Sequence, residues 1–229
     1  MQLFPTTLVD NFFDNPNSVR ELALKQDYQR HRLGIVNGVR SNHLQIIDPD
    51  LYNNFSNKIL ALFYDLEEDS ITCRIDAFFH KNTPYESGSN YGWVHRDAPE
   101  SVFGGLIYLT PNPVLESGTS FYKLKVDNEQ ALSIEKNCYR MKKQFFRSAA
   151  FLGEEDVASY DLQSYNDHYD MWANCFEKTL TVKNVYNRMI LFDGSVLHSA
   201  DKYVEDRLSL VFFVREINSE TTPLLKMKG

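Results

Sequence analysis

The chain has 229 residues, enough for one sizeable domain, and its 43% hydrophobic and 24% charged residues are ordinary for a globular protein. Its net charge of −7 at pH 7 argues against nucleic acid as the main partner, because that affinity comes largely from Lys and Arg. The three cysteines lie at long spacings, which suggests no disulfide framework. The sequence has neither a secretory signal pattern nor an apolar run near the roughly 20 residues of a membrane span. These features predict a cytoplasmic protein without a membrane partner.

The N-terminal part, residues 1–70, predicts a short strand followed by two helices. The strand is expected at residues 7–13, TLVDNFF. Residues 15–28, NPNSVRELALKQDY, predict a helix, since an asparagine can cap it and the proline suits its first turn. Residues 48–66, DPDLYNNFSNKILALFYDL, predict the second helix from apolar residues at helical spacing.

Beyond residue 70 the hydrophobic period changes to the alternation typical of strands. Strands are predicted at 71–82, 102–110, 118–125, 187–200 and 207–216. A polar, Tyr-rich segment at 125–180 predicts an insertion that is partly helical. We therefore expect one α+β domain over residues 1–229, with an antiparallel sandwich or barrel as its core at 71–215.

The strongest chemical signal lies in YGWVHRDAPES, residues 91–101, where His95 and Asp97 stand two positions apart. In an extended segment this spacing puts both side chains on one face, with Arg96 on the other face, toward solvent as the favoured interpretation or toward the substrate as the alternative. His198 follows at the end of a later apolar strand. Two imidazoles and one carboxylate form the facial triad that holds non-haem Fe(II) and leaves coordination positions open. Alone the pattern is weak, because a surface histidine near a turn aspartate is the commoner arrangement.

Arg207 strengthens the metal hypothesis because it opens the apolar strand RLSLVFFV. Burying a cation among Leu, Val and Phe is costly unless an anion meets it, and Arg suits bidentate binding of a carboxylate. A surface arginine at a strand end is the alternative interpretation of the same residue.

These motifs together resemble the Fe(II)/2-oxoglutarate-dependent dioxygenase superfamily. They are, in chain order, His95-Arg96-Asp97, GLIYLTP, SGTSFY, His198 and Arg207-Leu208-Ser209. Their order and spacing are most similar to the prolyl-hydroxylase-like branch, over roughly residues 71–215, although Ser117 replaces a glycine of that pattern. The segments VDNFFDNPNSVRELAL and VYNRMILFDGSVLHSADKY also resemble a little-characterised bacterial and phage family described as oxygenases.

The resemblance implies a double-stranded β-helix, also called a jelly roll, with the N-terminal helices packed against one sheet. It implies that His95, Asp97 and His198 bind Fe(II). Because the position of Asp97 holds a carboxylate and completes the triad, hydroxylation is favoured over halogenation.

The resemblance also implies a co-substrate site for 2-oxoglutarate. Arg207 would pair with its distal carboxylate, and Tyr108 and Ser209 are both candidates to contact the same group. The implied reaction uses O₂ to oxidise 2-oxoglutarate to succinate and CO₂ while hydroxylating a prime substrate.

Two alternatives stay open from the sequence. One is a non-catalytic, cupin-like jelly-roll module, although a retired enzyme would be expected to have lost part of the triad or Arg207. The other, a hydrolase using Asp97 and His198, is weaker because no G-x-S-x-G motif occurs. The loop at 82–94 and the insertion at 125–180 fit a peptide, an amino acid or a small polar metabolite as substrate. The oligomeric state stays open.

Several further residues are candidates for supporting roles. The adjacent Gly104 and Gly105 predict a close approach or a bulge in a strand. Tyr91 and Trp93 are candidates for the pocket wall or for simple packing. Asn187 is equally compatible with a strand entry and with a functional role.

Overall fold

The computed structural model describes residues 5–30, 38–84, 92–97, 101–136, 138 and 162–220. Within these ranges ten strands form two antiparallel sheets. The strands are β1 (Thr7–Val9), β2 (Gln29–Arg30), β3 (Val39–His43), β4 (Ile71–Asn82), β5 (Phe103–Tyr108), β6 (Thr119–Leu124), β7 (Phe176–Val182), β8 (Met189–Asp193), β9 (Leu197–Ala200) and β10 (Arg207–Ser219). The helices are α1 (Pro16–Leu24), α2 (Leu44–Ile47), α3 (Pro49–Leu60) and α4 (Leu162–Ala173), and residues 128–136 are also helical.

The larger sheet has the strand order β1-β8-β5-β10-β4-β3-β2, and the smaller one has the order β7-β6-β9. The outer face of the larger sheet packs on the N-terminal helices, where Phe55 and Ile59 of α3 join one core cluster with Phe212 of β10. The inner face meets the smaller sheet, since Phe121 and Phe192 pack in a second cluster. The predicted α+β class, with N-terminal helices against one sheet, is confirmed.

Alternation along β10 separates the apolar core from the inter-sheet space. Its even-numbered residues from Leu208 to Val214 are buried against the helices. Its odd-numbered residues from Arg207 to Phe213 line a pocket between the two sheets. This period of two is what brings an arginine and a serine from an apolar strand into one cavity.

The structure divides the segment predicted as one strand at 187–200 into β8 and β9, which belong to different sheets. The division occurs because Asp193 Oδ1 accepts from the backbone N–H of Ser195 at 2.9 Å and from its hydroxyl at 2.6 Å. Such local side-chain bonds compete with a strand ladder and favour a turn. Strand β7 begins inside the segment predicted as the insertion and completes the smaller sheet. No helix in the described ranges is long and apolar enough to span a membrane.

Asn187 has a structural role, because its side chain ties the N-terminal segment to the entry of β8. Its amide accepts from the backbone N–H of Phe13 and donates to the Phe13 carbonyl, both at 2.9 Å. The residue is buried, and its φ of 61° lies in the left-handed region that asparagine tolerates better than most residues.

We expect Asn187→Ala to lower the free energy of unfolding by about 2–4 kcal/mol, because it adds left-handed strain and leaves a buried N–H and C=O unpaired. Asn187→Gly is the matched control, since glycine tolerates the φ and loses only the hydrogen bonds, so its loss is expected to be smaller. Urea unfolding of both variants measures the difference. Equal stability of Asn187→Ala and wild type would show that the two hydrogen bonds between Asn187 and Phe13 contribute nothing to stability.

Candidate metal centre

His95, Asp97 and His198 come together in the pocket between the two sheets. One nitrogen or oxygen of each side chain lies within 4.8 Å of the others. The backbones of His95 and His198 pair as an isolated bridge, with reciprocal N–H to C=O bonds of 3.0 and 2.9 Å. Their ring centroids are 4.4 Å apart, and His198 Nε2 lies 3.6 Å from Asp97 Oδ1. The three residues selected from sequence are thus neighbours in space.

Both histidines are held in the tautomer that suits a metal ligand. His95 Nδ1 lies 2.7 Å from the carbonyl oxygen of Trp93, and His198 Nδ1 lies 2.9 Å from that of Val196. A carbonyl only accepts, so each Nδ1 carries a proton, and in the neutral ring Nε2 is then the nitrogen with the free lone pair. Outer partners of this kind orient the rings of metal-binding histidines.

Asp97 supplies a buried carboxylate with one oxygen unused. Its Oδ2 has no hydrogen-bond partner, and a Cβ added to Gly104 of β5 would collide with that same oxygen. The close approach predicted at the glycine pair is therefore confirmed, with a carboxylate as the neighbour. Burial raises the pKa of Asp97, opposed by the charges of His198, Arg215 and Arg40 in that order. An orphaned oxygen in a buried acid fits a cation ligand better than a structural acid.

The pocket around this cluster has a cavity volume of about 380 Å³. Trp93 belongs to its wall, as one of the two sequence interpretations predicted, whereas Tyr91 lies outside the described residues. Trp172 of α4 also lines it and donates from Nε1 to the Val94 carbonyl at 2.9 Å. Arg96 is exposed, as predicted, and donates from Nε to the Ser195 carbonyl at 3.0 Å.

Arg207 is a buried cation whose partners are neutral. Only 4% of the residue is exposed, and its Nη1 donates to the carbonyls of Ser117 and Gly118, both at 3.1 Å. Its Nε is buried with no partner, and no carboxylate of the described residues forms an ion pair with it. The guanidinium lies 5.1 Å from the ring centre of Tyr108 and 5.8 Å from that of Tyr203. It therefore has donor capacity left for an anion in the pocket.

The two other co-substrate candidates occupy different positions. Tyr108 and Ser209 are register partners across β5 and β10, but only Ser209 lies among the residues lining the pocket. Tyr108 is fully buried, and its hydroxyl hydrogen-bonds the Thr119 hydroxyl at 2.9 Å. Burial also raises the pKa of Tyr108, so its phenol stays protonated. Thr119 itself lines the pocket and was missed from sequence, although it lies in the SGTSFY motif.

Solved structures with the same fold are known at low sequence identity. One is a prolyl hydroxylase from Trichoplax adhaerens in complex with a hypoxia inducible factor oxygen degradation domain peptide fragment. It is 11% identical, with 92% of this chain and 83% of that chain covered and a TM-score of 0.52. Another is HygX from Streptomyces hygroscopicus with nickel, 2-oxoglutarate and hygromycin B bound, at 11% identity, 92% and 82% coverage and a TM-score of 0.51. The predicted double-stranded β-helix (jelly-roll) fold is confirmed.

Sequence comparison gives a narrower but less informative result. No curated protein matches the chain. A family model matches residues 3–210, which is most of its length. The chain therefore belongs to the Family of unknown function DUF6445.

Proposed function

We propose that this protein is an Fe(II)- and 2-oxoglutarate-dependent dioxygenase. It hydroxylates a peptide, an amino acid or a small polar metabolite and releases succinate and CO₂. The observation that carries the proposal is one pocket holding both the cluster of His95, Asp97 and His198 and the buried cation of Arg207.

The donor set fits Fe(II). In the neutral ring each histidine presents Nε2 as a ligand atom, because its Nδ1 is held by a carbonyl, and Asp97 offers an oxygen that no protein donor uses. Two imidazoles with one carboxylate are the ligands that non-haem Fe(II) oxygenases use, and three protein ligands leave positions for a co-substrate and O₂. When bound, iron and 2-oxoglutarate would supply the oxidative chemistry, while the protein binds and orients the reactants.

The side chains of this pocket can hold 2-oxoglutarate by its distal carboxylate. Arg207 provides the charge, and Ser209 of the larger sheet and Thr119 of the smaller sheet also line the pocket. Leu106 and Phe192, which also line the cavity, present apolar surface that excludes water from the reacting groups. A charge-assisted bond to a carboxylate is stronger in a buried site such as that of Arg207 than at the surface.

The breadth of the proposed substrate class rests on two observations. The prolyl hydroxylase of similar fold holds a peptide fragment, and HygX holds hygromycin B, so the fold accommodates both kinds of molecule. We also propose that residues 1–229 form one domain with a core at 71–215. The pairing of β1 with β8 supports this, because it makes the N-terminal segment part of the larger sheet.

The first test is an anaerobic titration of metal-free protein with Fe(II) and then 2-oxoglutarate, followed by the visible charge-transfer band of the chelate. We expect a saturable band in wild type and its loss in His95→Ala. His43→Ala is the matched control, because His43 is an exposed histidine of β3 outside the pocket. Absence of iron binding would overturn the proposal and leave a non-catalytic jelly-roll module. A band with O₂-dependent succinate release supports the enzyme.

A further inference from the structure

The pocket contains a second arginine, Arg40, on the short strand β3. In the sheet register Arg40 pairs with His80, and His80 pairs with Ser209. Cross-strand partners share a face, so this row points into the inter-sheet space, and all three residues line the pocket. With strands about 4.8 Å apart, Arg40 stands roughly 10 Å from Ser209 across the sheet. Arg40 and Arg207 therefore stand on separate parts of one cavity wall.

Arg40 has an unused donor. Its guanidinium lies 4.3 Å from the ring centre of Phe78, and its Nε is buried with no hydrogen-bond partner. No carboxylate of the described residues forms an ion pair with it. Burial lowers the pKa of Arg40 to about 10, with Asp97 the strongest opposing charge, so the group stays cationic at neutral pH.

A simpler role as counter-charge to Asp97 does not account for this placement. The two side chains form no ion pair. Once Asp97 binds a cation, that cation neutralises the carboxylate. The positive charge of Arg40 is then left uncompensated in a partly desolvated site. Arg215, the other cation acting on Arg40, bonds Asp76 at 2.9 Å. An anion from a ligand is what would complete the environment of Arg40.

The co-substrate is not that anion if the proposed function holds. One carboxylate of 2-oxoglutarate would chelate the metal, and Arg207 would take the other. We therefore propose that Arg40 binds an oxyanion group, a carboxylate or a phosphate, of the prime substrate. This inference rests on the proposed function and restricts its substrate class to anionic molecules.

The test is a titration followed by ¹⁵N NMR of the arginine Nε–H groups. Wild-type protein is loaded with Zn(II) and saturating 2-oxoglutarate, which keeps Arg207 occupied, and is titrated with sodium acetate or sodium phosphate at constant ionic strength. The Arg40 signal, assigned by its loss in Arg40→Lys, is expected to move saturably. Arg215, already bonded to Asp76, is the internal control and is expected to stay unchanged. Tighter phosphate binding indicates a phosphorylated substrate, and tighter acetate binding indicates a carboxylate.

The outcomes separate this inference from the proposed function. Arg40→Gln is expected to leave the affinity of the iron-loaded protein for 2-oxoglutarate within about twofold, as for a separate subsite. A larger loss would mean that Arg40 holds the co-substrate, and an Arg40 signal unmoved by either anion would also overturn the inference. Failure of the proposed function is read independently, as absence of the charge-transfer band in wild type.

Discussion

Gly104→Ala is expected to lower the affinity for Fe(II) by about 10- to 100-fold, the range seen when the support of a metal ligand is disturbed. The added methyl group collides with Oδ2 of Asp97, so the carboxylate must turn away from the position it shares with His198. The ring of Phe213 comes next at 3.5 Å, an ordinary contact. The substitution therefore acts on the ligand and spares the sheet.

The adjacent glycine gives the matched control. A Cβ on Gly105 would collide with the backbone carbonyl of Ile190 and the ring of Phe212, which belong to the packed sheet. Gly105→Ala is therefore expected to lower the melting temperature, whereas Gly104→Ala is expected to change it little. Anaerobic calorimetric titration with Fe(II) and thermal unfolding of both variants make the comparison. If Gly104→Ala binds iron with wild-type affinity, the carboxylate of Asp97 is not a ligand of the metal.

The sequence was most informative where the chemistry follows a local period. Strand β4 has the predicted bounds 71–82, and its burial alternates over residues 71–77 before a run of buried residues at 77–80. The spacing of His95 and Asp97 predicted a shared face, and the apolar run before His198 pointed to a strand there, although the structure places His198 in the separate strand β9. These predictions required only local patterns and one resemblance.

The parts that the sequence did not predict depend on long-range register. Strands β2 and β3 are too short or too polar to show a period, so the position of Arg40 beside the pocket follows only from the pairing of β3 with β4. Likewise, the pairing of Tyr108 with Ser209 and the hydrogen bond between the hydroxyls of Tyr108 and Thr119 follow only from how the strands pair in the fold. Tertiary contacts of this kind come from the fold and leave no local signal.

Arg207→Gln is expected to weaken 2-oxoglutarate binding by about 10- to 100-fold while leaving Fe(II) affinity unchanged, because hydrogen bonds to charged groups contribute about 1.5–3 kcal/mol. Glutamine keeps a polar donor near the carbonyls of Ser117 and Gly118 but removes the charge. Titration of the charge-transfer band at saturating iron measures the co-substrate affinity directly. If Arg207→Gln binds 2-oxoglutarate with wild-type affinity, Arg207 does not bind the co-substrate.

The same titration decides between the hydroxyls of Ser209 and Tyr108. Ser209 lines the pocket, so Ser209→Ala is expected to weaken 2-oxoglutarate by about fivefold, the usual value of one neutral hydrogen bond. Tyr108→Phe is expected to have the smaller effect on affinity, because the Tyr108 hydroxyl already bonds Thr119 and its ring, which phenylalanine keeps, is the part that lies beneath Arg207. If Tyr108→Phe weakens 2-oxoglutarate binding more than Ser209→Ala does, the Tyr108 hydroxyl binds the carboxylate. Thr119 must then release that hydroxyl when the co-substrate binds. If Tyr108 is the ligand, Thr119→Val would strengthen co-substrate binding, because the phenol is then already released. If the Thr119 hydroxyl itself faces the co-substrate, the same substitution is expected to weaken binding.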